Sequence, residues 1–502
     1  MQGRKHLKPQ LFYQTSLEDL VPQDNFYRLL NDCLDLHFLY KATSQYYGRE
    51  GQESIDPVVY FKILVVGYLN NINSDRALLR YCADCLSIRL FLGYDIDECL
   101  PWHSTISRTR QLYGEAVFLK LFQKVLSMCV SKGMVRGKRQ CVDSAFVKAN
   151  ASMDSLLEKE IASDVIAYSE ELEVHSEYRV SSQKSKEVAQ HHAWKAKAYK
   201  AMPGSRQTIQ IDEDGEEIRP KFLSNHTHYS GTDPDAKIST KPGKPRQLNY
   251  AGQISVDDSC HVITGACAST AGSKDSNIFS EIMDVTMQNM REEGMVLEEV
   301  IADAGYSSGE SLQYCEDHNL DAYIPNFGQY KPERVGFMYN DQLGQYECVK
   351  EGGNKAILKY KGERIDSKGY HKKTYRSSES DCKNCPLRES CCGKVSKFKK
   401  IDESIHKPLY DRMHEKLSKK KAYHRRLVKR RSSTVEPVLG TLINHHNMRR
   451  INSRGMAQAN KHVLMAALCY NLKKYMKYKG KYYQTDAQIM PIGKGMSFFK
   501  KI

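Results

Sequence analysis

The chain has 502 residues, and its 75 Lys and Arg against 60 Asp and Glu give a formal net charge of +15. This length allows about three domains, or one large domain with insertions, and the charge favours a polyanionic partner, either nucleic acid or an anionic membrane. The longest apolar stretch, Pro57 to Leu69, is interrupted by Lys62 and too short to span a bilayer, and the basic start lacks the apolar region of a secretory signal.

Residues 1–137 are predicted to form an all-helical domain. Apolar residues recur at helical spacing in three long segments, which begin at Ser16, at Ser74 and at Ser104 or Thr105. The second and third segments are each predicted as one continuous helix. No part of this region shows the alternation of a strand.

Two arginines follow the start of the third segment. Arg108 and Arg110 are expected near a helix N-terminus, where backbone N–H groups and basic side chains both favour phosphate. They are therefore candidate DNA-binding residues. The alternative is that they only cover a helical bundle.

A mixed sheet is predicted after Lys138. The segment 139–147, "RQCVDSAFV", has the residue types of a strand, and the segment 250–270 predicts two strands joined by a turn. A helix, a strand that runs into Asp303, a second helix and the strand 321–326 follow. This order predicts an α/β fold in which helices cover a mixed sheet.

Three further regions differ from this pattern. Residues 150–235 are polar and rich in Lys and Glu, and residues from 327 to about 400 show no periodicity. From Lys394 to Arg431 there are 15 Lys and Arg against four Asp and Glu, a net charge of +11 that favours a polyanion site. Residues 455–478 predict an amphipathic helix with one apolar face.

Three acidic residues are candidate metal ligands. Asp143 lies within a strand pattern, where a carboxylate is costly unless it is paired or bound to a cation, Asp303 ends a strand, and Glu436 lies near a predicted helix start. Carboxylate oxygens suit Mg²⁺ or Mn²⁺, and two such ions support in-line phosphoryl transfer. These residues therefore predict nuclease or strand-transfer chemistry.

Structural alternatives exist for two of these acids. Asp303 is also placed to cap a turn or a helix. Ser433 and Glu436 have the spacing of a capping box, and Pro437 moves the predicted helix start to residue 436 or 437.

One cluster of cysteines suggests a second metal. The sequence "DCKNCPLRESCC" has a spacing close to that of a zinc knuckle and contains Cys382, Cys385, Cys391 and Cys392. Because adjacent cysteines rarely both bind one ion, His371 or His406 is a candidate for completing a structural zinc site. A metal-free loop and a redox role are the alternatives.

The ordered motifs carry a resemblance to a known family. "CVDSAFVKANAS", "TDPDAK", "YAGQISVDD", "VIADAGYSS", "TVEPVLGTL" and "RRINSRGMAQANKHVLMAALCYNLKK" resemble the DDE transposases of bacterial insertion sequences, in the branch with a long N-terminal helical domain. The resemblance extends to "LVPQDNFYRLL", "SDRALL" and "PWHSTISRTR", and so covers nearly the whole chain.

The resemblance implies an RNase H-like catalytic core with the acidic triad Asp143, Asp303 and Glu436. This core would span residues 138–475, with insertions at about 150–235 and 327–420, and 476–502 would be a tail. The resemblance also implies a helix-turn-helix-like unit in the N-terminal domain that recognises the ends of the element. A homodimer is implied because two ends must be brought together.

The sequence departs from related transposases around the glutamate. Ile443 stands where a lysine is common, and Lys429 and Ser432 stand where tyrosine and arginine are common. Other basic residues are candidates for the missing phosphate contacts: Arg430, Arg431, Arg449, Arg450, Arg454 and Lys461.

The predicted function is metal-dependent cleavage at insertion-sequence ends, followed by strand transfer into target DNA. The predicted partners are the terminal inverted repeats and target DNA, and the predicted location is the cytoplasm, at the nucleoid when DNA is bound. Two alternatives remain: an RNase H-like nuclease that cuts without joining, and an inactive DNA-binding regulator, which Ile443 favours. A polyanion-binding surface protein is disfavoured because the start lacks an export signal.

Overall fold

The structure of the chain is a computed structural model. The residues it describes are 15–48, 50, 54–158, 210–211, 217–218, 224–225, 228–239, 246–328, 330–366, 369–393 and 395–478. Most of the predicted insertion at 150–235, and the tail beyond residue 478, lie outside these ranges.

The N-terminal region is helical, as predicted. Its apolar stripes pack into a cluster of buried side chains that includes Leu30, Tyr60 and Phe118. In the described residues the helices are α1 (Leu17–Leu20), α2 (Phe26–Cys33), α3 (Phe38–Thr43), α4 (Pro57–Leu69), α5 (Asp75–Asp84), α6 (Leu86–Leu92), α7 (His103–Leu112) and α8 (Glu115–Ser131).

Two of the long predicted helices are broken. The segment from Ser74 divides between α5 and α6 at Cys85, whose backbone is extended. The third segment divides between α7 and α8 at Gly114, whose N–H donates to the Tyr46 hydroxyl at 3.0 Å. A Cβ atom at Gly114 would lie 2.7 Å from that hydroxyl, so the close approach requires glycine.

The start of α7 also differs from the prediction. The helix begins at His103 with Trp102 as its N-cap, and not after Ser104 or Thr105. Ser16 does cap α1 as predicted, since its hydroxyl accepts from the backbone N–H of Asp19 in a capping box.

A six-stranded mixed sheet follows. Ten strands are described in this part of the chain, and six of them form the sheet. The ten are β1 (Arg139–Lys148), β2 (Leu156–Glu158), β3 (Gln210–Ile211), β4 (Glu217–Ile218), β5 (His228–Ser230), β6 (Lys237–Ser239), β7 (Gln247–Asp257), β8 (Ile263–Thr270), β9 (Glu299–Ile301) and β10 (Asp321–Tyr323). The sheet order is β10-β9-β1-β7-β6, and β8 also pairs with β7. β1 and β7 are antiparallel, whereas β1, β9 and β10 are parallel, which confirms the predicted mixed sheet.

Helices cover both faces of this sheet. Val142 of β1 packs in one hydrophobic cluster with α9 (Asp275–Glu292) and α10 (Gly309–Asp317). The adjacent Cys141 belongs to a different cluster, because successive side chains of a strand point to opposite faces.

A second sheet occupies the region in which the sequence shows no periodicity. It is antiparallel, in the order β11-β12-β13-β14-β15, and two short helices lie between its last two strands. Its elements are β11 (Phe337–Asn340), β12 (Gln345–Cys348), β13 (Ile357–Ile365), β14 (His371–Ser377), α11 (Glu379–Lys383), α12 (Arg388–Cys392) and β15 (Lys400–Ser404). Much of β13 is exposed, so the alternation that reveals a half-buried strand is weak there.

Two helices follow the second sheet, α13 (Lys407–Lys419) and α14 (Lys421–His445). The predicted helix start at residue 436 or 437 is wrong, because Pro437 lies inside α14. The hydrogen bond that proline cannot make would go to the exposed Ser433, whose carbonyl water can reach. The capping-box alternative is also wrong, since the Ser433 hydroxyl donates to the Arg430 carbonyl within the helix.

The last helix, α15 (Met456–Lys477), lies at the centre of the molecule. Every side chain from Lys461 to Leu472 is buried, so the prediction of a single apolar face is wrong. α15 packs against α4 and α8 on one side and against β8 on another, and one hydrophobic cluster joins the N-terminal helices to the sheet. No helix among the described residues is both long and apolar enough to cross a membrane.

Candidate active site

Asp143 on β1 and Asp303, just after β9, lie near each other in the middle of the central sheet, where β1 and β9 are neighbouring strands. β1 and β9 are parallel with Cys141 opposite Ile301, and each aspartate comes two residues after its member of that pair. Burial raises the pKa of Asp143 above its ordinary value, and the nearby charge of Asp303 raises it further. The two carboxylates therefore form an electrostatically coupled pair that favours a cation.

Arg431 of α14 supplies one cation. Its guanidinium Nη1 donates to Asp143 Oδ2 at 2.6 Å, and the side chains are only 13% and 18% exposed. This charge lowers the pKa of Asp143 and so opposes the effect of burial. The contact also fixes the position of α14 against β1, since Thr434 on the next turn lies against Cys141.

A network of hydrogen bonds lies next to the two aspartates, on the face of the sheet that α9 covers. Asp275, at the start of α9, accepts hydrogen bonds from Ser144 Oγ at 2.8 Å and from Gln253 Nε2 at 3.1 Å. The buried Tyr306 hydroxyl donates to Gln253 Oε1. Burial raises the pKa of Tyr306, and the charges of Asp275, Asp143 and Asp303 raise it further, so its hydroxyl stays a donor.

None of the residues of this network was predicted from the sequence as part of the site. Gln253 interrupts an apolar strand pattern, and a buried amide of this kind is a usable signal because it requires hydrogen-bond partners. Asp275 resembles an ordinary acid in the first turn of a helix, so its local sequence gives no signal.

Glu436 occupies a different position from the two aspartates. It is exposed on α14, five residues after Arg431 and thus about 140° around the helix axis from it. The structure places Asp143 and Asp303 near each other because β1 and β9 are neighbouring strands. Glu436 lies in the same region only because the helix that carries it, α14, contacts β1. The turn-capping alternative for Asp303 also occurs, because its carboxylate accepts from the Gly305 N–H at 2.8 Å.

Divalent-metal binding fits the chemistry of the aspartate pair. Two adjacent carboxylates, one of them buried, offer the hard oxygen donors that Mg²⁺ and Mn²⁺ prefer. As the side chains stand, no three His, Cys, Asp or Glu residues in the described part of the chain form a group that could hold a metal ion.

The predicted DNA-binding residues divide into paired and exposed groups. Two predictions are wrong: Lys461 is only 4% exposed and donates to the Arg110 carbonyl, and Arg110 forms a bidentate pair with Asp75. Neither side chain is available to a phosphate. Arg430 is half exposed and pairs with Asp258.

The other predicted arginines lie on the surface. Arg108 is exposed on α7, close in sequence to Trp102, whose side chain is 78% exposed. Three more exposed arginines lie near the end of β1, where two of them contact Asn150: Arg449, Arg450 and Arg454.

The N-terminal half of α14 carries an additional basic row. Lys421, Arg425 and Lys429 are exposed and four residues apart, and none forms an ion pair with another described residue. Like charges at this spacing destabilise an isolated helix slightly. We call these three residues the α14 basic row.

The cysteines of the second sheet line one small cavity, and Cys348 joins them there. Neither His371 nor His406 is among the residues that line it, and the ring of His406 packs against Gly309 instead. The suggestion that a histidine completes the cysteine set is therefore wrong, and Cys348 is the residue that the sequence analysis missed.

Comparison with known families gives two matches. Residues 15–112 match the family model described as Transposase domain (DUF772), and residues 352–476 match the one described as Transposase DDE domain. The first covers α1 to α7, and the second extends from β13 to α15 and includes Arg431 and Glu436. No curated protein matches the chain.

Proposed function

Because the chain belongs to the DDE transposases of insertion sequences, we propose that it cleaves DNA at the ends of its own element and joins the freed 3′ ends to target DNA. The chemistry would be a metal-dependent phosphoryl transfer without a covalent protein intermediate. The observation that carries this proposal is the aspartate pair, with Asp143 on β1 and Asp303 just after the adjacent parallel strand β9.

The fold proposed for the catalytic region is RNase H-like. Apart from the short edge strand β6, the central sheet contains β1, β7, β8, β9 and β10 in chain order, so β1 is its first strand and β9 its fourth. Asp143 lies on the first and Asp303 after the fourth, as the resemblance implies. This agreement supports the proposed boundary at residue 138 and the assignment of residues 327–420 as an insertion.

The proposed roles follow from the positions of the side chains. Asp143 and Asp303 would hold one or two Mg²⁺ or Mn²⁺ ions, with Glu436 as the third carboxylate once the Arg431–Asp143 contact opens and α14 moves. Bound ions of this kind activate the attacking oxygen and stabilise the leaving oxygen. Gln253 and Tyr306 would keep the strands at a fixed spacing.

The proposed DNA path runs along α14. The α14 basic row would contact the phosphate backbone of the strand next to the acids, and Arg449, Arg450 and Arg454 would extend the path near the end of β1. Arg108 and the exposed Trp102 would contact element ends, because an indole face can stack on a base and an arginine can bind phosphate. Two protomers would hold two ends.

The triad is tested with single carboxylate-to-amide variants. We expect Asp143→Asn, Asp303→Asn and Glu436→Gln to reduce cleavage of end DNA in Mg²⁺ by at least about 10²-fold while binding of that DNA is retained. Glu298→Gln is the matched control, since Glu298 is an exposed acid that pairs with Lys138 at the surface. Wild-type cleavage by any of the three variants would reject its assignment.

The products of the same assay decide between the enzyme classes. A reaction with donor and target DNA should give joined products from a transposase and cut ends alone from a nuclease. A protein that binds ends without nicking them in either Mg²⁺ or Mn²⁺ would be the inactive regulator.

A further inference from the structure

Five cysteines from three separate parts of the chain around the second sheet line one small, partly open cavity. Cys348 ends β12, Cys382 and Cys385 belong to α11 and the turn after it, and the adjacent Cys391 and Cys392 end α12. All five line a cavity of about 20 Å³. A cavity of this size has room for a single water-sized occupant and not for a small organic ligand.

The second sheet has little else to stabilise it. Its hydrophobic cluster contains only four buried side chains, those of Tyr346, Leu358, Tyr375 and Ile401, with Phe337 packed against them. Small sheets with so few buried apolar groups usually depend on a metal ion or on disulfides. The described cysteines are all free, so no disulfide among them reinforces this sheet.

The cavity also has the charge that a thiolate site requires. Three basic residues, Lys350, Arg388 and Lys399, line it against one acid, Asp381. The Lys399 ammonium donates to the Cys391 carbonyl at 2.6 Å. Four thiolates around one Zn²⁺ carry a net charge of about −2, which nearby cations offset.

We propose that this cavity is a structural Zn²⁺ site formed by Cys348, Cys382, Cys385 and one member of the Cys391–Cys392 pair. Cys348 replaces the histidine expected from sequence and supplies the fourth sulfur from a distant strand. As they stand, no three of these side chains form a metal-holding group, so binding requires changes of side-chain rotamer that draw the sulfurs together. Binding displaces the thiol protons to solvent.

Zinc content of the full-length protein tests the site. After expression with zinc and exhaustive dialysis, we expect about one zinc per wild-type chain, and less than roughly a tenth of that in Cys348→Ser. Cys99→Ser is the matched control, because Cys99 is exposed and lies far along the chain from the cluster. A wild-type protein without zinc, or a Cys348→Ser variant with full zinc, overturns the proposal.

Two measurements on wild-type protein keep the test valid if Cys348→Ser does not fold. Replacement by Co²⁺ should give the intense charge-transfer absorption of a tetrahedral four-thiolate site, and a weaker three-sulfur or oxygen-ligand spectrum contradicts it. Removal of zinc with a chelator should expose four additional reactive thiols, whereas a chelator-independent thiol count contradicts the site. Asp143→Asn should keep its zinc, so failure of the catalytic proposal would be seen separately.

Discussion

At the residue scale, the contact between Arg431 and Asp143 bears both on the stability of the fold and on the metal binding proposed for Asp143. The guanidinium lies where a divalent cation would neutralise the same carboxylate. The protein thus carries its own counter-ion for Asp143, and a bound metal would compete with it.

This competition is measurable without turnover. Arg431→Ala leaves a largely buried carboxylate without its cation, so we expect the free energy of unfolding to fall by on the order of 2 kcal/mol. Because a ligand that binds only the folded state stabilises it, Mn²⁺ should raise the Tm of Arg431→Ala more than that of the wild type. Thermal unfolding with and without Mn²⁺ measures both effects.

Two variants serve as controls for this experiment. Arg430→Ala removes the neighbouring, half-exposed arginine and should change neither the Tm nor its response to Mn²⁺ by much. Asp143→Asn combined with Arg431→Ala should lose the extra response. Equal Mn²⁺ responses in Arg431→Ala and wild type would show that the two cations do not compete.

The role of a single residue could be predicted from the sequence where its polarity did not suit the apolar residues around it. Asp143 could be identified because an acid inside an apolar strand needs a partner, whatever the fold. Lys461 could not be identified as buried, because a lysine in a helix is usually exposed, and its partner, the Arg110 carbonyl, is distant in sequence. Asp275 was missed because its partners come from two strands that only the folded sheet brings to it.

At the element scale, α13 and α14 are both basic, with formal net charges of +2 and +5, but their basic side chains have different partners. The lysines of α13 form ion pairs: Lys407 with Asp411, Lys416 with Asp321 and Lys419 with Glu415. The α14 basic row has no acidic partner in the described chain. The net positive charge of residues 394–431 therefore lies mainly on α14.

This difference provides a matched pair of triple variants. Neutralising Lys421, Arg425 and Lys429 with Gln should weaken DNA binding and reduce the slope of log affinity against log salt by about 0.9 for each phosphate that the variant no longer neutralises. The same change at Lys407, Lys416 and Lys419 should leave the slope nearly unchanged. Salt titrations of DNA binding measure both, and equal losses of affinity would assign the effect to net charge alone.

Helices and strands could be predicted from the sequence where one local residue pattern was clear. The strands around Asp143 and Asp303 follow from β-branched and apolar runs, and the helices follow from apolar spacing. The start of α14 was predicted wrongly because Pro437 usually marks a first turn, whereas packing of Leu427, Val435 and Val438 keeps the helix continuous through it. The second sheet was missed because charged, largely exposed strands carry little apolar pattern.

At the scale of the whole molecule, His462 links three regions. Its ring Nε2 donates to the Asn447 carbonyl at 2.9 Å, and its Nδ1 accepts from the Tyr68 hydroxyl at 2.6 Å. Both ring nitrogens are thus satisfied in the neutral form. Burial lowers the pKa of His462 to about 4, and burial lowers that of His446 to about 4 as well.

These two histidines predict a pH dependence of stability. An unfolded histidine has a pKa near 6.5, so between about pH 6.5 and 4 the unfolded chain binds more protons than the folded one. The free energy of unfolding is therefore expected to fall as the pH is lowered through this window, by on the order of 3 kcal/mol for each histidine. Urea unfolding at a series of pH values measures it.

Replacement of His462 separates its contribution from that of other groups. His462→Gln should be less stable at pH 7 but should lose less stability on acidification than the wild type. His37→Gln, at an exposed position, should follow the wild-type curve. A His462→Gln curve parallel to the wild-type curve would contradict this origin of the pH dependence.

The central position of α15 has a consequence for how the protein is made. A ribosome completes this helix after nearly all other segments have emerged, yet the N-terminal helices and β8 both need its side chains to fill the space between them. Domains generally fold during synthesis from the N-terminus onward, but here a nascent chain would expose apolar surface until α15 has emerged. We expect chains truncated before α15 to aggregate or be degraded.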